Sequence, residues 1–222
     1  MLPPSPSRRS SRTALLAVLV SSGLLVAGCG GGDASTGASA SASTSPSASQ
    51  PTTDVEVPDG VELTAAGTGL DLGQDAVVPY EPGGAGSDGS VLSLRVASVR
   101  TGTVKDLAAY QLDARTRRST PYYVRWSAEN VGTGDLGGAP VPLYAVDSDD
   151  SLVQPSSFTS SFTTCPSTPL PKKFGQGRKT SGCLVYLLPD RGKLTGVSFR
   201  PVQQVAPITW TGEVQPVAKK KG

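Results

Sequence analysis

The chain has 222 residues, three cysteines, no histidine and a formal net charge of +2. The missing histidine excludes every His-based catalytic triad and most transition-metal sites. The near-neutral balance lacks the marked basic excess of a nucleic-acid-binding domain, so no nucleic-acid partner is expected.

The N-terminus carries Arg8, Arg9 and Arg12 and no acid, followed by an apolar stretch from Ala14 to Ala27 broken only by Ser21, Ser22 and Gly23. Spanning a bilayer takes about 20 apolar residues, so this shorter run fits the core of a signal peptide. It ends at Val26-Ala27-Gly28-Cys29, which closely resembles a bacterial lipobox. The resemblance implies diacylglycerol transfer to the Cys29 sulfur and cleavage after Gly28, giving residues 1–28 as a lipoprotein signal peptide. Arg8-Arg9 also resembles a twin-arginine signal, but Ser10 and Ser11 stand where apolar residues belong, which favours ordinary Sec export. Acyl chains hold by burying methylenes at about 0.8 kcal/mol each, and two chains suffice for stable anchoring. The expected location is the outer face of the cytoplasmic membrane. Cleavage removes three bases, which turns the net charge to −1 (17 basic against 18 acidic residues).

Residues 29–54 comprise the cysteine and a Gly, Ala, Ser, Thr and Pro linker. Such a composition cannot bury enough apolar surface to offset its conformational entropy. As a flexible coil it spans roughly 25–30 Å on average, and on the order of 80 Å when fully stretched.

Residues 55–217 hold nearly all the aromatics, with Gly and Pro every few residues and no long helical periodicity. Both features predict strands and turns. Ala76–Tyr80 reads as an edge strand, because Pro79 cannot donate to a ladder. Val91–Val99 is a second strand with Leu92, Leu94 and Val96 inward. Asp106–Leu112 reads as a short helical turn crossing between sheets. Tyr122–Glu129 is the clearest strand: Tyr122, Val124, Trp126 and Ala128 face one way, and Tyr123, Arg125, Ser127 and Glu129 the other. It ends at the turn Asn130-Val-Gly-Thr-Gly134. Val141–Val146 follows. Gly182–Leu188 is a nearly continuous apolar run and reads as a central strand, with Gly196–Arg200 and Pro207–Thr211 after it. About seven short strands indicate an all-β fold, an antiparallel β-sandwich of the immunoglobulin-like type.

With Cys29 acylated, Cys165 and Cys183 remain, and outside the cytoplasm two such cysteines pair. Closing a loop of that size contributes about 3 kcal/mol on the chain-entropy estimate. Thr120-Pro-Tyr-Tyr-Val124, Asn130-Val-Gly132, Val141-Pro-Leu143 and Cys165…Cys183 together resemble a group of actinobacterial lipoproteins with an Ig-like domain of unknown function. The resemblance runs from about Leu70 to Trp210. It implies an Ig-like sandwich outside the cytoplasm and supplies no catalytic residue.

Neither a GxSxG elbow nor an SxxK motif occurs. Gly84–Gly89 and Gly132–Gly137 match GxGxxG, but neither has the strand before and helix after that a dinucleotide fingerprint needs, so both read as loops. Asp147-Ser-Asp149-Asp150 offers carboxylates to calcium but lacks the EF-hand glycine and closing glutamate, so a β-turn is the reading and no metal site or cofactor is assigned. Lys172, Lys173, Arg178 and Lys179 flank Phe174–Gly177 and form a candidate binding surface for lipid headgroups or an acidic wall polymer, joined in that reading by Arg115, Arg117 and Arg118. The bland alternative, a solvated loop, is preferred, as it is for the basic tail 218–222.

These observations lead to a monomeric membrane-anchored lipoprotein whose domain is a non-catalytic binding module for a protein or cell-envelope component. A structural or accessory subunit of an envelope complex is the alternative, and a carboxylate-based hydrolase a third. A transporter's solute receptor needs a second lobe, for which the chain leaves no room.

Overall fold

A computed structural model describes residues 54–83, 89–160, 162–200 and 205–217. The expected signal peptide, Cys29, most of the expected linker, all but Gly89 of the first glycine motif and the lysine tail lie outside those residues.

Among the described residues ten strands form two five-stranded sheets. In chain order they are β1 Gly69–Asp71, β2 Asp75–Tyr80, β3 Ser90–Thr101, β4 Thr120–Asn130, β5 Tyr144–Asp147, β6 Leu152–Val153, β7 Lys179–Leu188, β8 Leu194–Phe199, β9 Ile208–Thr211 and β10 Val214–Gln215. One sheet runs β1-β9-β8-β5-β6. The other runs β10-β3-β4-β7, with β2 also paired to β3. The all-β sandwich is as predicted, with ten strands rather than about seven. The additional ones, β1, β6 and β10, have two or three residues each, too few to show alternation. Two pairings, β1 with β9 and β10 with β3, are parallel, so the sheets are mixed where purely antiparallel ones were expected.

The alternation of β3 and β4 builds the space between the sheets. Leu92, Leu94, Val96, Tyr122, Val124, Trp126 and Ala128 all face it, opposite Ala145, Val197, Phe199, Ile208 and Trp210. A bulge in β3 between Val96 and Ser98 shifts the parity, which is why Val99 rather than Ser98 points inward. Trp210 is fully buried and its Nε1 donates to the Gln74 carbonyl at 2.9 Å.

Three expectations are corrected. β7 is not central, since its only ladder partner among the described residues is β4. Its apolar run reflects burial on both faces: Leu184, Tyr186 and Leu188 enter the inter-sheet core, while Cys183, Val185 and Leu187 pack under loops. The segment Asp106–Leu112 does not cross between sheets. It begins within the 3₁₀ turn Val104–Leu107 and belongs to the connection from β3 to β4, which are neighbours in one sheet. The strand expected from Val141 begins at Tyr144, because Pro140 and Pro142 have no amide to donate.

A second apolar cluster lies on the outer face of the β3-β4-β7 sheet. Tyr123, read as outward, is 4% exposed there beside Leu107, Phe162, Cys165, Cys183 and Val185. Tyr110 and Phe158 extend it, with Tyr110 and Phe158 ring centroids 5.1 Å apart. Cys165 and Cys183 are bonded, Cα–Cα 5.1 Å, which fastens the 154–170 loop to β7. Ser156 N and Ser167 N donate to the Val185 and Cys183 carbonyls at 2.7 and 2.9 Å. That loop therefore occupies the edge β7 would otherwise expose.

Candidate functional site

The register of β4 with β7 fixes two ends of the sandwich. Glu129 pairs with Lys179 at one, and Thr120 with Leu188 at the other. An eleven-residue strand separates them by about 35 Å.

The four sequence-predicted bases gather at the first end. Phe174, between them, is 1% exposed and lies in the inter-sheet core, so it pins the loop that carries Lys172, Lys173 and Arg178. Two polar side chains complete the clamp. Asn130, fully buried, donates from Nδ2 to the Phe174 and Gly134 carbonyls at 2.6 and 2.8 Å. Its Oδ1 accepts from Ser90 Oγ at 2.7 Å and from Gly132 N at 3.1 Å. Asp135 Oδ1 accepts the Gly137 and Phe174 amides, both at 2.9 Å. Lys172, Lys173, Arg178 and Lys179 themselves are exposed. Lys179 Nζ sits 3.0 Å from Glu129 Oε2, so that base has a carboxylate of its own. The sequence marked Asn130 only as a turn residue. Its role as a clamp had no signal there, since it depends on a carbonyl 44 positions away.

Arg115, Arg117 and Arg118 do not join this surface. The 3₁₀ turn Thr116–Arg118 lies at the far end, packed against the turn Pro189–Arg191 that follows β7, and Arg118 Nε is 3.5 Å from Asp190 Oδ1. The combined basic patch expected from sequence is thus divided between opposite ends. Near Arg117 lies an open groove of about 830 Å³, lined also by Val104, Lys105, Ala108, Tyr110 and Leu112.

The remaining candidates are structural. Gly132–Gly137 is a loop, in agreement with the sequence. Asp147 Oδ1 accepts from the amides of Asp149 and Ser151 at 2.9 and 2.8 Å, which closes the turn between β5 and β6, with Asp150 at φ 57°. Among the described residues no three His, Cys, Asp or Glu side chains converge on one point. Beneath the loops, Asp106 Oδ2 accepts the Tyr123 hydroxyl at 2.9 Å and the Thr103 amide at 2.8 Å. Partial burial opposes the charge on Asp106, but those bonds and the Arg100 guanidinium outweigh it and hold the carboxyl below its ordinary range. Burial, and then the Asp106 carboxylate, push the Tyr123 hydroxyl up. Burial likewise raises Tyr80 and Tyr186, whose hydroxyls donate to the Pro140 and Leu143 carbonyls at 2.9 and 2.8 Å. All three phenols stay protonated at neutral pH.

No protein-family model matches the chain, and no curated protein does. Among solved structures it is similar to MPT63, a secreted protein from Mycobacterium tuberculosis, at 13% sequence identity and a TM-score of 0.46, over 67% of this chain and all of that one.

Proposed function

We propose that the chain is a lipid-anchored extracytoplasmic protein whose β-sandwich is a non-catalytic binding module for a protein or envelope component. The single observation that carries this reading is the Cys165–Cys183 bond. An oxidised pair belongs to a compartment outside the cytoplasm, and it accounts for two of three cysteines. The third, Cys29, stands alone at the end of the signal-peptide-like run, where an acyl chain is the chemistry that uses a solitary thiol. The resemblance to actinobacterial lipoproteins with Ig-like domains agrees with this assignment, and the expected state is a monomer.

The way the polar groups are engaged supports the non-catalytic part. Asp106, Asp135 and Asp147 accept backbone amides, and the buried phenols donate to a carbonyl or a carboxylate. Such groups position loops. The far-end groove and its neighbouring arginines are the surface offered to a partner.

Intact mass of the membrane-fraction protein, before and after reduction, tests the reading. The expected species is Cys29–Gly222 plus acyl chains, gaining two hydrogens on reduction. A soluble unacylated species would overturn the anchor, and free thiols at Cys165 and Cys183 would remove the compartment argument.

A further inference from the structure

The linker joins the domain at a definite place. Val55 is 8% exposed and packs so closely on Gly89 that a Cβ there would lie 2.5 Å from Val55 Cγ2. Gly89 in turn touches Gly134, where a Cβ would lie 2.2 Å from the Gly89 carbonyl oxygen. Gly134 is the residue whose carbonyl Asn130 holds together with that of Phe174. Whatever path residues 29–53 take, they reach the sandwich at the end that presents Lys172, Lys173 and Arg178.

That end has two flanks. The sheet order β2-β3-β4-β7 puts Glu81, just after β2, about 14 Å from the start of β7, at three strand spacings. Asp54, Glu56 and Glu81 line a recess at the junction, on the β2 flank. Arg178 stands beside the start of β7, and Lys172 and Lys173 lie on the adjoining segment against Gly137, where Asp135 accepts two backbone amides and keeps its charge and Glu129 is paired with Lys179. The loop backbone is also held, through buried Phe174 and the Asn130 clamp, so the ordering cost on contact is confined to its exposed side chains.

We infer that the 171–179 loop is a contact for anionic phospholipid headgroups, docking the β7 flank on the membrane that holds the anchor and lifting the acidic flank away. This rests on the lipid-anchor reading. A tether that joins the domain at this end keeps the loop close to the bilayer, so a weak contact suffices. Each base near an anionic surface contributes about 1 kcal/mol, a factor of about five. A wall polymer carries the same charge, but the linker delivers this end to lipid. The far end, with Arg115, Arg117 and the groove, is then directed outward.

The test couples the mature chain through its Cys29 thiol to a maleimide lipid in vesicles. This supplies the anchor whatever happens in the cell, so failure here and failure of the anchor reading are separate results. Lysine acetylation rates are then read by mass spectrometry, with Lys105 and Lys193 at the far end as internal controls. On vesicles containing phosphatidylglycerol, Lys172 and Lys173 are expected to react at least about threefold more slowly relative to the controls, and high salt should restore them. Pure phosphatidylcholine should leave the ratio unchanged. Equal ratios on both vesicles would overturn the inference, and so would protection of Lys105 and Lys193 instead. Slowing on phosphatidylcholine only when a glycerol-phosphate polymer is added, with none on phosphatidylglycerol, would reassign the loop to the wall.

Discussion

The two apolar clusters of this domain are built by different means. The inter-sheet core is assembled mainly from strands whose partners are set by ladder hydrogen bonds, with Leu136, Ala139, Val141, Leu143, Leu170 and Phe174 added from loops, and its members alternate along β4 and, up to the bulge, along β3. The outer cluster takes Tyr123, Cys183 and Val185 from the sheet but Leu107, Phe158, Phe162 and Cys165 from loops, and it relies on one covalent bond and a few hydrogen bonds for its position. A core made by alternation specifies itself. A core made by loops needs a staple, because each loop residue loses backbone freedom without ladder bonds in return.

The strongest way to sharpen that contrast is Trp210→Ala. This fully buried side chain should cost about 3–5 kcal/mol, read as a fall in the urea midpoint, and should loosen both clusters together. Replacing both Cys165 and Cys183 by Ala should cost about 3 kcal/mol. Hydrogen exchange should then show protection lost first around Leu107, Phe158 and Phe162, with β3 and β4 still slow. Simultaneous loss in β3 and β4 would break the comparison, making the two clusters one cooperative unit. Asn130→Ala should follow at about 1–3 kcal/mol, since it leaves buried partners unsatisfied. Its signature is faster exchange at the Gly177 amide, which donates to the Asn130 carbonyl at 2.7 Å.

The smallest effect is a pH dependence confined to the outer cluster. Asp106 has its carboxyl lowered in the folded state, so it stabilises the protein above the unfolded value of about 3.9. That contribution is lost as pH falls through the folded value. Asp106→Asn should flatten the acid limb of stability below about pH 4, by a few tenths of a kcal/mol because the group is largely exposed. An unchanged acid limb would show that the Asp106–Tyr123 contact adds nothing to the outer cluster.

Legibility in the sequence divides along the same line. The period-two pattern of Tyr122–Ala128 and Leu92–Val96 identified the inner faces residue by residue, since a half-buried strand leaves that pattern in any protein. The burial of Tyr123 on the outer face and the edge position of β7 were not legible. An apolar run looks the same whether its second face meets another sheet or a loop, and the loop here arrives from residues 154–170. Clustering of Lys172, Lys173 and Arg178 was legible because they are neighbours in sequence. Their separation from Arg115–Arg118 was not, because it depends on the β4–β7 register. Nor was the meeting of Val55 with Gly89, a contact between the domain's first residue and the residue that precedes β3.

The 154–170 loop, held over β7 by the Cys165–Cys183 bond, also has a consequence in time. Until the bond forms, the outer edge of β7 is an open template for pairing with another copy of the chain. The interval between emergence of the chain and its oxidation is therefore when it is most exposed to aggregation. In dilute refolding, yield should follow the rate of thiol oxidation more closely than the stability of the finished fold.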